Sequence, residues 1–141
     1  MEQRLTLVTL GVKDIDRAIR FYRDGLGWRL WSGSGGDFAM FVLKGGIALA
    51  FYPRDLLIDD AGVPDTGGFG GITLAHNVPS QLEVDELLKA AVKAGGRLLR
   101  AATKKEWGGY SGYFADPDGY PWEVAWNPHF PLQDGMLNLR E

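Results

Sequence analysis

The same order of elements runs twice along this chain. "LTLVTLGV" (5–12) has the β-branched content and length of a strand, apolar on both alternating faces and therefore covered on both. In "DIDRAIRFYRDGLG", Ile15, Ala18, Ile19 and Tyr22 fall on one helical face. Asp14 is placed to cap that helix, and Gly25 or Gly27 to end it. Three strand-like runs follow, "WRLWS", "FAMFVL" and "IALAFY", separated by glycine-rich turns. The second copy opens on "GITLAHNV" (71–78). A Ser80-x-x-Glu83 capping box then leads a helix with the apolar stripe Val84, Leu87, Leu88, Ala91 and Val92. Gly95 and Gly96 stop it, and "RLLRAAT", "GYSGYFA" and "YPWEVAW" complete the set, with a strong turn at Asp116-Pro117-Asp118-Gly119.

Two βαβββ modules are the consequence, and such a repeat constrains the fold more than any composition does. One module cannot cover both faces of its own sheet. Two of them, side by side or swapped between chains, would curl around a shared cleft. The expected fold is α+β, with curled mixed sheets around that cleft. The expected boundaries are a first module at 1–52, a connector at 53–70, a second module at 71–128 and a tail at 129–141. The connector is rich in Gly, Pro and Asp, without a sustained period. The tail carries Phe130, Leu132, Met136, Leu137 and Leu139, too apolar for a free end, and is expected to be ordered at least to Leu139.

Composition removes several function classes. The 141 residues suit one domain of ordinary size, and 45% hydrophobic content supports a core. The net charge is −3 with both signs interspersed, so no nucleic-acid partner is expected. No apolar run at the N-terminus suits a leader or a membrane span, so no membrane partner is expected and the location is expected to be cytoplasmic. Without cysteine there is no disulfide, thiolate metal site or cysteine nucleophile. Nucleophile-elbow, P-loop and Rossmann signatures are missing. Exposed strand edges on each module predict a homodimer.

"VTLGVKDIDRAIRFYRDGLGW", opening the first module, and "GYFADPDGYPWEVAWNP", closing the second, carry a resemblance. Together they resemble the vicinal oxygen chelate superfamily: glyoxalases, extradiol dioxygenases, fosfomycin-resistance enzymes and bleomycin-resistance proteins. The resemblance spans residues 5–128. It implies a divalent metal held by His or Glu at equivalent strand positions of the two modules. In this sequence those positions fall at Leu7, near Leu49, at Thr73 and at Glu123. Only Glu123 is a strong donor; Thr73 offers a neutral hydroxyl, and Leu7 offers none. A divalent ion needs several anionic or imidazole donors at about 2 Å. No cofactor is therefore expected, with a divalent metal as the less favoured alternative.

The candidate site is centred on Glu123, either as a general base or ligand anchor, or as a structural acid bonded within the fold. The candidate ligand-binding residues are Leu7 and Thr73, at positions the resemblance implies, and Trp107, Tyr110 and Tyr113, because the aromatics exceed what one small core needs. Strand parity sets His76 with Leu74 and Val78 on the helix face, where it is expected to be buried, and leaves His129 exposed beyond the last strand. Three readings remain open. The first is a metal-free protein binding an apolar or aromatic small molecule. The second is a lyase or dioxygenase using Glu123 in a metal-poor site. The third is an interaction subunit whose cleft is filled by its own side chains.

Overall fold

The structure is a computed structural model that describes residues 1–139, and its internal contacts divide the chain into two units at Gly70–Gly71. In the first unit, β1 (Leu7–Val12) runs parallel to β3 (Ala48–Pro53), and β2 (Ala39–Val42) pairs antiparallel on the other side of β3. Asp14 caps α1 (Ile15–Ile19), its carboxylate accepting from the Arg17 N–H at 3.1 Å. The helix continues as π-helical turns over Arg20–Gly25. Phe21 and Tyr22, consecutive residues of these turns, are both buried. Tyr22 lies 4.9 Å from Phe51, 5.9 Å from Phe41 and 5.2 Å from Trp28, ring centre to ring centre. The helix therefore packs on the face that carries Leu10, Phe41, Leu49 and Phe51.

Two elements differ from the sequence expectation. Residues 28–32, expected as a strand, form none; a single bond from the Trp31 N–H to the Met40 carbonyl, 2.9 Å, ties them to β2. Trp28 is drawn into the aromatic cluster, and the glycines at 27 and 33 bend the chain on either side. The first unit thus has three strands, not four. The connector, expected to be irregular, contains α2 (Arg54–Ala61). It starts after Pro53, which needs no N–H partner there, and ends at Gly62 with φ +67°. Arg54 packs against Gly11 of β1, where a Cβ would come within 3.1 Å of the Arg54 Cα.

In the second unit the expected βαβββ order of elements forms, with its first strand shorter than 71–78. Its sheet has the order β4-β7-β6-β5, with β4 (Leu74–Asn77) parallel to β7 (Pro121–Trp126). β6 (Tyr110–Ala115) is antiparallel to β7 and to β5 (Arg97–Lys104). Ser80 caps α3 (Gln81–Lys93), accepting from the Glu83 N–H at 3.3 Å. Val84, Leu88 and Ala91 bury the α3 stripe. Phe114 and Trp122 stack at 6.1 Å with their planes 3° apart. At the β6–β7 turn the buried Asp116 carboxylate accepts from the Asp118 and Tyr120 N–H groups, at 3.0 and 2.9 Å, and Gly119 takes φ +88°. The tail is described as far as Leu139: β8 (Leu132–Gln133) and β9 (Met136–Leu137) form a hairpin about Asp134-Gly135, both at positive φ. Phe130, Met136, Leu137 and Leu139 remain exposed. The α+β class with two mixed, open sheets holds. Among the described residues no helix is long and apolar enough to cross a membrane.

Candidate functional site: the Glu123 face of the second sheet

Register decides which side chains share a face with Glu123. Cross-strand partners point to the same side, and residues two apart on one strand do as well. Ala75, Glu123, Tyr113 and Arg100 form one row across β4, β7, β6 and β5. Asn77, Ala125, Ser111 and Thr103 form the next. Phe114, Trp122 and Val124 take the alternate positions, with α3 packed on the unit's sheet. The acid is thus placed away from the Phe114–Trp122 stack, although Trp122 and Val124 are its chain neighbours.

The Glu123 face carries Ala75, Ala115 and Ala125 among polar side chains: Arg100, Thr103, Asn77, Ser111 and Tyr113 share it with Glu123. Ala115 and Ala125 are buried. The Tyr113 hydroxyl donates to the Glu123 carboxylate at 3.2 Å, and both residues are half-buried. Desolvation pushes the Tyr113 phenol above its ordinary range, and the neighbouring Glu123 charge and hydrogen bond push the same way. Tyr113 is therefore a neutral donor at physiological pH, and Glu123 keeps further acceptor sites for a second donor. The Ser111 hydroxyl, on the same face, is buried and has no hydrogen-bond partner. Strand parity alone could have singled it out, two residues before Tyr113, but serine in a glycine-rich strand carries no signature of its own.

The remaining candidates are distributed as follows. Trp107 sits in the β5–β6 turn with its ring over Gly109, where any Cβ would run into it. Alternation puts Gly109 on the face of Ser111 and Tyr113, so the ring closes that end of the face. Tyr110 lies on the opposite face and donates to Asp85 of α3 at 2.8 Å, a bond that is the largest cause of its raised pKa. Thr73 lies just ahead of β4 and is exposed, two residues before Ala75. Leu7 opens β1 in the first unit and is also exposed. Leu49 is buried on the helix face of its sheet; the residue matching Glu123 there is its neighbour Ala50, which pairs with Thr9 as Glu123 pairs with Ala75. His76 takes the face expected, beside Val124, but is exposed rather than buried, because β4 is the edge strand of its sheet. The protein around it still lowers its pKa by desolvation. His129 is exposed, near the Trp107 turn.

With this geometry established, comparison with known proteins is direct. Residues 4–124 match the Glyoxalase/Bleomycin resistance protein/Dioxygenase superfamily. The chain belongs to this superfamily. A glyoxalase-related enzyme from Fulvimarina pelagi is 38% identical, with a TM-score of 0.88 over 99% of this chain and 100% of that one. A superfamily enzyme from Burkholderia phytofirmans PsJN shares the fold at 22% identity and TM-score 0.74, over 86% and 96% of the two chains. A lactoylglutathione lyase from Agrobacterium tumefaciens shares it at 23% identity and TM-score 0.66, over 89% and 94%. None of the curated proteins matches the sequence.

The divalent metal that this superfamily implies does not fit the donors present. Glu123 is one carboxylate and Thr73 one hydroxyl, while Leu7 and Leu49, or Ala50 in its place, are hydrocarbon. Among the described residues no three His, Asp or Glu side chains gather where an ion could sit. A cation held by one carboxylate would keep most of its water and bind weakly.

Proposed function

We propose that this superfamily member binds an apolar or aromatic small molecule on the Glu123 face of its second sheet, without a tightly held metal. The Tyr113–Glu123 hydrogen bond, with Ala75 and Ala125 beside the carboxylate, carries the reading. A tyrosine held neutral orients the carboxylate, and the carboxylate's unused lone pairs are a fixed point for a ligand donor. The Trp107 ring and the alanines supply the apolar surface. The same pair supports a second reading, proton transfer to or from a bound substrate with Glu123 as base, since a base oriented by a neighbour is the common arrangement.

The binding reading is tested by titrating tryptophan fluorescence with a panel of flat aromatic compounds. Saturable changes that Glu123→Gln weakens would support it. Unchanged emission and melting temperature across the panel would sink it. Elemental analysis finding about one Zn, Mn, Fe or Ni per chain, in protein prepared without a metal-affinity column, would overturn the metal-free part. Turnover of a bound compound, abolished in Glu123→Gln, would move the chain from binder to enzyme.

A further inference from the structure

We infer that Ser111 is a third polar anchor of this site, and that the site takes a neutral group pairing a hydrogen-bond donor with an acceptor, of the carboxamide or lactam kind. The inference rests on the reading of the Glu123 face as a ligand site. Its foundation is a hydroxyl only 1% exposed with no partner. Leaving such a group unpaired is costly, so native folds rarely keep one without a use. Its neighbours on that face do not relieve it: Ala125 pairs across from it on β7 and Thr103 on β5, and neither bonds it.

The chemistry of the three groups selects the ligand. Glu123 is an acceptor, and one of its oxygens already takes the Tyr113 hydroxyl. It needs a donor from the ligand. Ser111 has a free O–H that needs an acceptor. The two residues are diagonal neighbours, since Ser111 stands two positions from Tyr113, the partner of Glu123. A group that offers a donor to Glu123 and an acceptor to Ser111 satisfies both at once. An anionic group is disfavoured between Ser111 and Glu123, because its charge would face Glu123, while Arg100, the opposite charge of that row, stands on β5 beyond Tyr113. A purely hydrocarbon ligand leaves Ser111 as it is.

The test compares benzamide, N,N-dimethylbenzamide, benzoate and toluene on wild type and Ser111→Ala, by ligand-observed and backbone-amide NMR. Wild type is expected to bind benzamide about tenfold more tightly than toluene, the scale of one buried polar group satisfied. Blocking the amide donor as N,N-dimethylbenzamide should remove most of that advantage, and Ser111→Ala should remove it as well. Free Ser111→Ala should melt no lower than wild type, because it deletes an unpaired hydroxyl. Equal affinity for benzamide and toluene would overturn the inference while leaving the apolar site intact. So would benzamide binding untouched by the substitution. A lowered melting temperature for Ser111→Ala would show the hydroxyl already satisfied in the free protein, by buried water, and would also overturn it. If none of the four compounds binds, the ligand site itself falls, and this inference with it.

Discussion

Replacing Gly112 by alanine should destabilise the second unit by about 2 kcal/mol, for a reason local to the site. Gly112 lies between Ser111 and Tyr113, opposite the stretch where β5 slips register against β6. A Cβ there would sit 2.7 Å from the Arg100 carbonyl oxygen, 2.8 Å from the Ala102 nitrogen and 2.8 Å from Leu88 Cδ1. The leucine methyl can rotate away. The two backbone atoms cannot move unless β5 is pushed off β6. Overpacking of this kind costs about 1–3 kcal/mol, with the upper end expected where backbone must yield. The backbone of Gly112 is open to L-residues, so alanine also restricts the unfolded chain and returns about 0.4–1 kcal/mol. The net is about 2 kcal/mol, or roughly 8 °C in melting temperature for a chain of this size. Gly70→Ala is the control: a Cβ there meets nothing within 4 Å and its φ is not positive, so only the unfolded-state term applies. Urea and thermal unfolding of both variants isolate the clash as their difference. Two midpoints equivalent to within about 0.5 kcal/mol would refute the packing argument, since that is the scatter of ordinary surface substitutions.

Three further outcomes follow from the same geometry. In Glu123→Gln the Tyr113 phenol should titrate lower than in wild type, but still above its ordinary range, because desolvation, the larger cause, persists; ultraviolet difference titration reads this, and an unmoved tyrosine titration would refute the contact. Since the folded pKa is the higher, the stabilisation from neutral Tyr113 is complete below the ordinary tyrosine range and is lost as pH rises through the raised value. Asp116→Ala removes the acceptor for two backbone N–H groups at the β6–β7 turn and should cost about 2 kcal/mol in urea unfolding, and a loss under about 0.5 kcal/mol would show the turn held by other means. Finally, β5 presents an exposed edge with Leu98 at 46% and Leu99 at 37% exposure, so sedimentation at micromolar concentration should show a homodimer, and a monomer would count against the covering of that edge by a second copy.

Most of the second unit was legible in the sequence because its signals are local. A capping box, a period-3.6 stripe and an Asp-Pro-Asp-Gly turn each act within a few residues, and each formed where its chemistry predicts. Period two also fixed in advance the face of His76. What it could not fix was burial. His76 shares the face of Val124, yet Val124 is central and buried while His76 stands exposed on an edge strand, and strand order is a non-local choice. The same limit separates Tyr110 from Tyr113: alternation sends them to opposite faces, and only the fold assigns Asp85 to one and Glu123 to the other. In the first unit, residues 28–32 had strand propensity but lost that state to packing, as Trp28 joined the Tyr22 and Phe41 rings. α2 was obscured by an acidic, proline-led sequence whose start and stop residues are also those of a loop. Sequence alone determined the repeat, the superfamily and the lone strong donor at Glu123. The tertiary structure alone decided that a tyrosine holds that carboxylate and that a serine beside it is left unsatisfied, because partnership between side chains depends on register across strands distant in the chain.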